Sequence, residues 1–99
     1  MVIVEGRFVV DPAEREAFLA DKEEGMRRAL TEEGCAVYVF SAHPLEPDVV
    51  CLYERWETKD ALLAHLGRMR SEPREPSGPA PKSATLTQHE ISRSGPLGS

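Results

Sequence analysis

Cysteine is scarce in this chain of 99 residues: Cys35 and Cys51 lie in separate apolar stretches, with no CxxC pair and no adjoining histidine that would complete a zinc site. Both read as small core residues rather than redox groups. Long apolar runs are missing too. None approaches the roughly 18 residues needed to cross a bilayer, and the opening "MVIVEGRFVV" lacks the charged start and small-residue cleavage site of a signal peptide. The expectation is a cytoplasmic protein that does not engage membranes. Basic clusters stop at Arg27-Arg28, and the net charge is −5, with nine Lys and Arg against fourteen Asp and Glu over residues 1 to 70. A nucleic-acid binder needs a basic surface to displace counterions from phosphates, so that class of partner is disfavoured. There is no glycine-rich phosphate loop, GxSxG nucleophile or dinucleotide fingerprint. The three histidines stand apart without paired metal-ligand spacing, so neither a metal nor a cofactor is expected.

What is present is one small domain of ordinary globular composition, 40% hydrophobic and 29% charged. Residues 1 to 10 are rich in β-branched side chains and read as a strand. "DPAE" follows, with Asp11 placed to cap a helix and Pro12 suited to its first turn. The helix runs to "TEEGC", where Gly34 can end it in a left-handed conformation. "CAVYVFSA" (35 to 42) is a second strand, "HPLEPD" a proline-broken loop, and "VVCLYERW" (49 to 56) a third strand. Thr58 then caps a second helix over about residues 59 to 70, on which Leu62, Leu66 and Met69 share a face flanked by Leu63 and His65.

Beyond Ser71 the composition changes: five of the eight prolines fall in the last 29 residues. Residues 71 to 83 read as a proline-rich loop and 84 to 92 as a polar fourth strand. The domain is placed at residues 1 to 92, with 93 to 99 a disordered tail whose "GPLGS" resembles the scar of a removed tag. The element order βαββαβ predicts an α+β, ferredoxin-like sandwich, with two helices on one face of an antiparallel sheet.

Alternate residues of a strand point to opposite faces. Val2, Val4, Phe8 and Val10 oppose Ile3 and Val9; Val37 and Val39 oppose Tyr38 and Phe40; Val49, Cys51 and Tyr53 oppose Val50 and Leu52. Both faces therefore carry apolar groups, and two helices can roof only one. The other face predicts a homodimer formed through the sheet.

The chemistry-bearing residues gather at "YERWETKDALLAHL" (53 to 66). Trp56 either stacks on a flat aromatic ligand or fills the core beside the second helix. Glu54, on the same largely buried face, needs a partner such as an arginine or carries a raised pKa as a general base. His65, at the edge of the helix stripe, is a candidate acid or base near neutral pH. Tyr38 and Tyr53 are candidate pocket hydroxyls, His43 reads as a solvated loop residue, and His89 as a strand-surface residue.

"MVIVEGRFVVDPAEREAFLA", the Gly34-Cys35 helix end, and above all Glu54-x-Trp56 followed by a capped helix with Ala61-Leu62 and His65, together resemble the antibiotic biosynthesis monooxygenase-type family over about residues 1 to 67. The resemblance implies a dimeric α+β barrel with a pocket between each sheet and its helices. It also implies oxidation of quinol-like or polyketide aromatics without metal or flavin, with His65 and Glu54 as catalytic groups and Trp56 and Tyr38 binding substrate. Other members degrade haem or isomerise a phosphorylated signal molecule. The haem-degrading branch has an asparagine on its first strand where this chain has Gly6 or its neighbours, and its histidine lies one residue further from the tryptophan, which argues against haem cleavage. Prolines 73, 76, 79 and 81 replace the helical segment that closes the pocket in many relatives. Two functions stay open: a cofactor-independent monooxygenase acting on a small electron-rich aromatic, and a non-catalytic ligand-binding or assembly dimer.

Overall fold

The computed structural model describes residues 1–72, 74, 75 and 77–98. Four strands, β1 (Val2–Val9), β2 (Cys35–Ala42), β3 (Val49–Trp56) and β4 (Ser83–Glu90), form one antiparallel sheet in the order β2-β3-β1-β4. Two helices, α1 (Arg15–Leu30) and α2 (Lys59–Ser71), complete the βαββαβ order expected of a ferredoxin-like α+β fold. The molecule measures 41 × 37 × 20 Å, and its short dimension fits one sheet plus one layer of helices. Among the described residues, no helix is long and apolar enough to cross a membrane.

Local chemistry sets the boundaries. The Asp11 carboxylate accepts from Ala13 N–H at 2.9 Å, and Pro12–Glu14 form a single 3₁₀ turn before α1 begins at Arg15. Thr58 Oγ1 accepts from Ala61 N–H at 3.1 Å and so starts α2. Gly34, with φ +81°, lies three residues beyond the α1 cap at Thr31. A Cβ there would sit 2.6 Å from the Ala61 Cβ, and the Gly34 carbonyl accepts from Glu57 N–H at 2.8 Å. Glycine is required on both counts, and the turn is docked against the start of α2. Arg15 Nη1 donates to the carbonyls of His43, Glu46 and Val49, satisfying the loop between β2 and β3 from the first turn of α1.

The strand faces fall as the alternation predicts. Register pairs Val2 with Trp56, Val4 with Glu54 and Phe8 with Val50, and all six point beneath the helices. A bulge between Cys35 and Val37 turns Cys35 onto the same side as Tyr38 and Phe40. Two packed clusters result. One joins Val2, Trp56 and Leu62, the other Val10, Phe18 and Val50, with Phe8, Phe18 and Phe40 in mutual ring contact. Burying such side chains stabilises by about 1.5–3 kcal/mol each.

Two expectations change. Cys35 joins the core, whereas Cys51 lies half-buried on the bare face of the sheet. On that bare face, as the alternation places them, Ile3, Val9, Val37 and Tyr53 share the surface with Glu5, Arg7 and Arg55. The inward stripe of α2 is rotated, because Leu62 and His65 are buried while Leu63, Leu66 and Met69 remain exposed. Strand β4 is an edge, exposed along all eight residues.

Candidate functional site

Glu54 and Trp56 are two residues apart on β3, so both side chains enter the space beneath α2. The Trp56 indole Nε1–H donates to Glu54 Oε1 at 2.9 Å. The carboxyl's partner is therefore the indole, not the arginine that its position suggested. Glu54 is 6% exposed and Trp56 is fully enclosed. Burial pushes the Glu54 pKa above its ordinary 4.5, and the nearby Glu32 adds to this, against the lowering pull of the indole hydrogen bond and of His65.

His65 is 3% exposed and contacts two aromatic rings, with centroids 4.8 Å from Trp56 and 5.4 Å from Tyr38. Its Nδ1 lies 2.9 Å from Glu32 Oε2. The other Glu32 oxygen receives Arg68 Nε at 2.8 Å and Nη2 at 2.7 Å. A carboxylate gripped by a guanidinium offers only acceptor sites, so the His65 Nδ1–H is the donor. In the neutral imidazole, that leaves Nε2 as the bare nitrogen. Nε2 has no hydrogen-bond partner among the described residues.

Composition hid Glu32 and Arg68, because each sits in a run of charge that reads as solvated surface. The readable signal was spacing: His65 and Arg68 are three apart on α2, one helical turn on a single face. Their shared partner comes from the turn after α1, 33 and 36 residues away in sequence. This bridge accounts for the rotation of α2. Turning Leu66 inward would break it.

A cleft of about 430 Å³ opens between the helices, with Tyr38 and Phe40 of β2 in its wall and Lys22, Arg68, Met69 and Arg74 around it. Of the four residues expected to form a site, Tyr38 lines this cleft. Glu54, Trp56 and His65 are brought together with one another but are not in its wall. The Tyr38 hydroxyl is held protonated: burial first, then the charges of Glu54 and Glu32, raise its pKa far above the ordinary value. Tyr53 faces the bare side of the sheet. His43 is an organiser of its loop rather than a solvated residue, since its Nδ1 accepts from the backbone N–H groups of Leu45 and Glu46. His89 is exposed on β4, 3.3 Å from Glu5. Among the described residues, no group of three or more His, Cys, Asp or Glu side chains is placed to hold a metal ion.

Residues 1–70 match the family described as antibiotic biosynthesis monooxygenase. The chain belongs to that family. No curated protein sequence matches it. Similar solved structures include a candidate antibiotic biosynthesis monooxygenase from Deinococcus radiodurans, 14% identical, with a TM-score of 0.73 over 98% of each chain. A Mycobacterium tuberculosis protein is 22% identical, with a TM-score of 0.69 over 96% of this chain and 98% of that one. A haem-degrading protein from the same organism, with two haems bound in its active site, is 11% identical and has a TM-score of 0.75 over 97% of this chain and 100% of that one. At such identities these likenesses concern the family fold.

The raised pKa of Glu54 fixes a sign. Its proton is held more tightly in the folded than in the unfolded chain, so the carboxyl favours folding fully below its unfolded value, and that contribution is lost as pH climbs through the folded value. Glu54→Gln keeps an oxygen for the Trp56 N–H and cannot ionise. Thermal melts from about pH 4 to about pH 8 should show the variant gaining on the wild type as pH rises. A constant difference, or one that shrinks, would contradict the assignment.

Proposed function

We propose that the protein is a cofactor-independent monooxygenase that oxidises a small electron-rich aromatic, a hydroquinone or anthrone, in the cleft between α1 and α2. Family membership supports oxygenase chemistry. The observation that carries the reading to particular residues is the Glu32–His65 pair, which presents an imidazole with its free lone pair at Nε2 one aromatic ring away from a cleft.

An electron-rich ring gives an electron to O₂ readily once it is deprotonated. The protein's task is to hold the ring, take the proton and exclude competing reactions. Tyr38 and Phe40 provide the aromatic wall. The protonated Tyr38 hydroxyl donates to a substrate oxygen, and His65 Nε2 takes the substrate proton through a bridging water. Glu54 and Trp56 pack against His65 from the sheet side and keep its ring in place. For an anthrone, one oxygen atom of O₂ becomes the new carbonyl on the ring CH₂ carbon. The second leaves as water with the two hydrogens of that carbon, one of them passing through His65.

The second subunit belongs to the same reading. Ile3, Val9, Val37 and Tyr53 on the bare sheet face call for cover, at roughly 25 cal/mol per Å² of apolar area buried, and a second copy of the chain related by a two-fold axis supplies it. A non-catalytic ligand-binding dimer of the same fold is the competing function. The enclosure of Trp56 and His65 is the observation that favours it.

Oxygen uptake with a panel of hydroquinones and anthrones separates the two. The wild type should consume O₂, His65→Ala should lose at least about tenfold in kcat, and Trp56→Phe should show a smaller loss. Equal rates in all three would remove these residues from the mechanism, and no uptake with any substrate would favour the binding function. Sedimentation at micromolar concentration should give twice the chain mass; a stable single chain would contradict the dimer.

A further inference from the structure

Three cations line the cleft, and they are not equivalent. Arg68 spends Nε and Nη2 on Glu32, and its Nη1 lies 3.7 Å from Glu72, which with Asp21 is one of two carboxylates in the cleft wall. Arg74 donates to the carbonyl and carboxylate of Asp21 and to the Ser77 hydroxyl. Lys22 makes no hydrogen bond among the described residues. Its ammonium lies 4.8 Å from the Phe18 ring centroid and 6.0 Å from that of Phe40, with only a loose 3.8 Å approach to Asp21 Oδ2. The other oxygen of that carboxylate, Oδ1, accepts from Arg74 Nη2 at 2.8 Å and from Ser77 Oγ at 2.6 Å. The Ser77 hydrogen bond, together with Arg74 and Lys22, keeps the Asp21 pKa below its ordinary value, so this carboxylate stays ionised and committed to the segment that follows α2.

A lysine with three donors is thus held over aromatic rings at the wall of a cleft that has space for a bicyclic or tricyclic molecule, while each neighbouring guanidinium already donates to a carboxylate. A ligand ring against Tyr38 and Phe40 would bring any acidic substituent on its edge toward this ammonium. We infer that the substrate carries a carboxylate next to its oxidisable ring, and that Lys22 binds that carboxylate and so sets specificity for aromatic acids over neutral hydroquinones. The inference rests on the cleft being the substrate site. The position of the ammonium over the Phe18 ring already restricts the side chain, so less entropy is lost when the charge-assisted hydrogen bond forms.

Anaerobic calorimetry with 1,4-dihydroxy-2-naphthoate and with neutral 1,4-dihydroxynaphthalene tests this on the full chain, with no oxidation to confuse the readout. The wild type should bind the acid at least about tenfold more tightly than the neutral diol, as expected of a hydrogen bond to a charged group, and added salt should narrow the gap. Lys22→Met, which keeps the stem over Phe18, should bind both compounds alike at the affinity of the diol. Lys22→Arg should restore the preference. Equal wild-type affinities, a preference that survives Lys22→Met, or no binding of either compound would each overturn the inference. Its failure is distinguishable from failure of the oxygenase reading: oxidation of the neutral diol at least as fast as the acid leaves the oxygenase standing without an acid site, whereas tight acid binding with no O₂ uptake leaves the acid site standing without an oxygenase.

Discussion

The carboxylate of Glu32 joins the turn after α1 to the body of α2. It accepts from His65 on one oxygen and from Arg68 on the other, so the turn between α1 and β2 is tied to the middle of α2 by three charge-assisted contacts between 2.7 and 2.9 Å. Beside it, Gly34 lets the same turn approach Ala61 closely, which brings Glu32 within reach. The rotation of α2 follows from this carboxylate. So do the tautomer of His65 and the position of Arg68 at the cleft.

The sheet explains why this polar group can be buried at all. Two helices roof one face, and their apolar contacts collect into two separate clusters rather than one continuous core. Between and beside these clusters the space is filled by polar groups that are tied to one another: Glu54 takes the Trp56 N–H, and His65 Nδ1 takes Glu32. A hydrogen-bonded buried network rigidifies its surroundings. Here it sets the position of Tyr38, the aromatic side chain that connects the enclosed groups to the cleft. The opposite face of the sheet mixes apolar residues with Glu5, Arg7 and Arg55, and among the described residues no helix packs on it.

Much of this was legible in the residues. Alternation along the strands placed Trp56, Glu54, Leu52 and Val50 on one face, and the caps at Asp11 and Thr58 located the 3₁₀ turn that leads into α1 and the start of α2, because these signals are local and one or two side chains decide them. The corner at residues 53 to 66 stood out for the same reason. The rotation of α2 was not legible: its apolar stripe favours Leu66 and Met69 inward, and a tertiary hydrogen bond to a carboxylate 33 positions away outweighs that preference. Glu32 and Arg68 resembled the other charges of a charge-rich chain, and only the folded turn distinguishes them. Lys22 likewise looks like any helix-surface lysine until Phe18, Phe40 and the occupied Asp21 are placed around it.

The claim on which the site depends is that Glu32 holds His65 with its proton on Nδ1 and its lone pair on Nε2. Nitrogen-15 NMR of the imidazole, at a pH where it is neutral, reads this directly. The account predicts that the wild-type His65 is the Nδ1–H tautomer and that Glu32→Ala releases it toward the Nε2–H form usual for free histidine. A wild-type His65 protonated on Nε2, or a tautomer that does not respond to loss of Glu32, would contradict it.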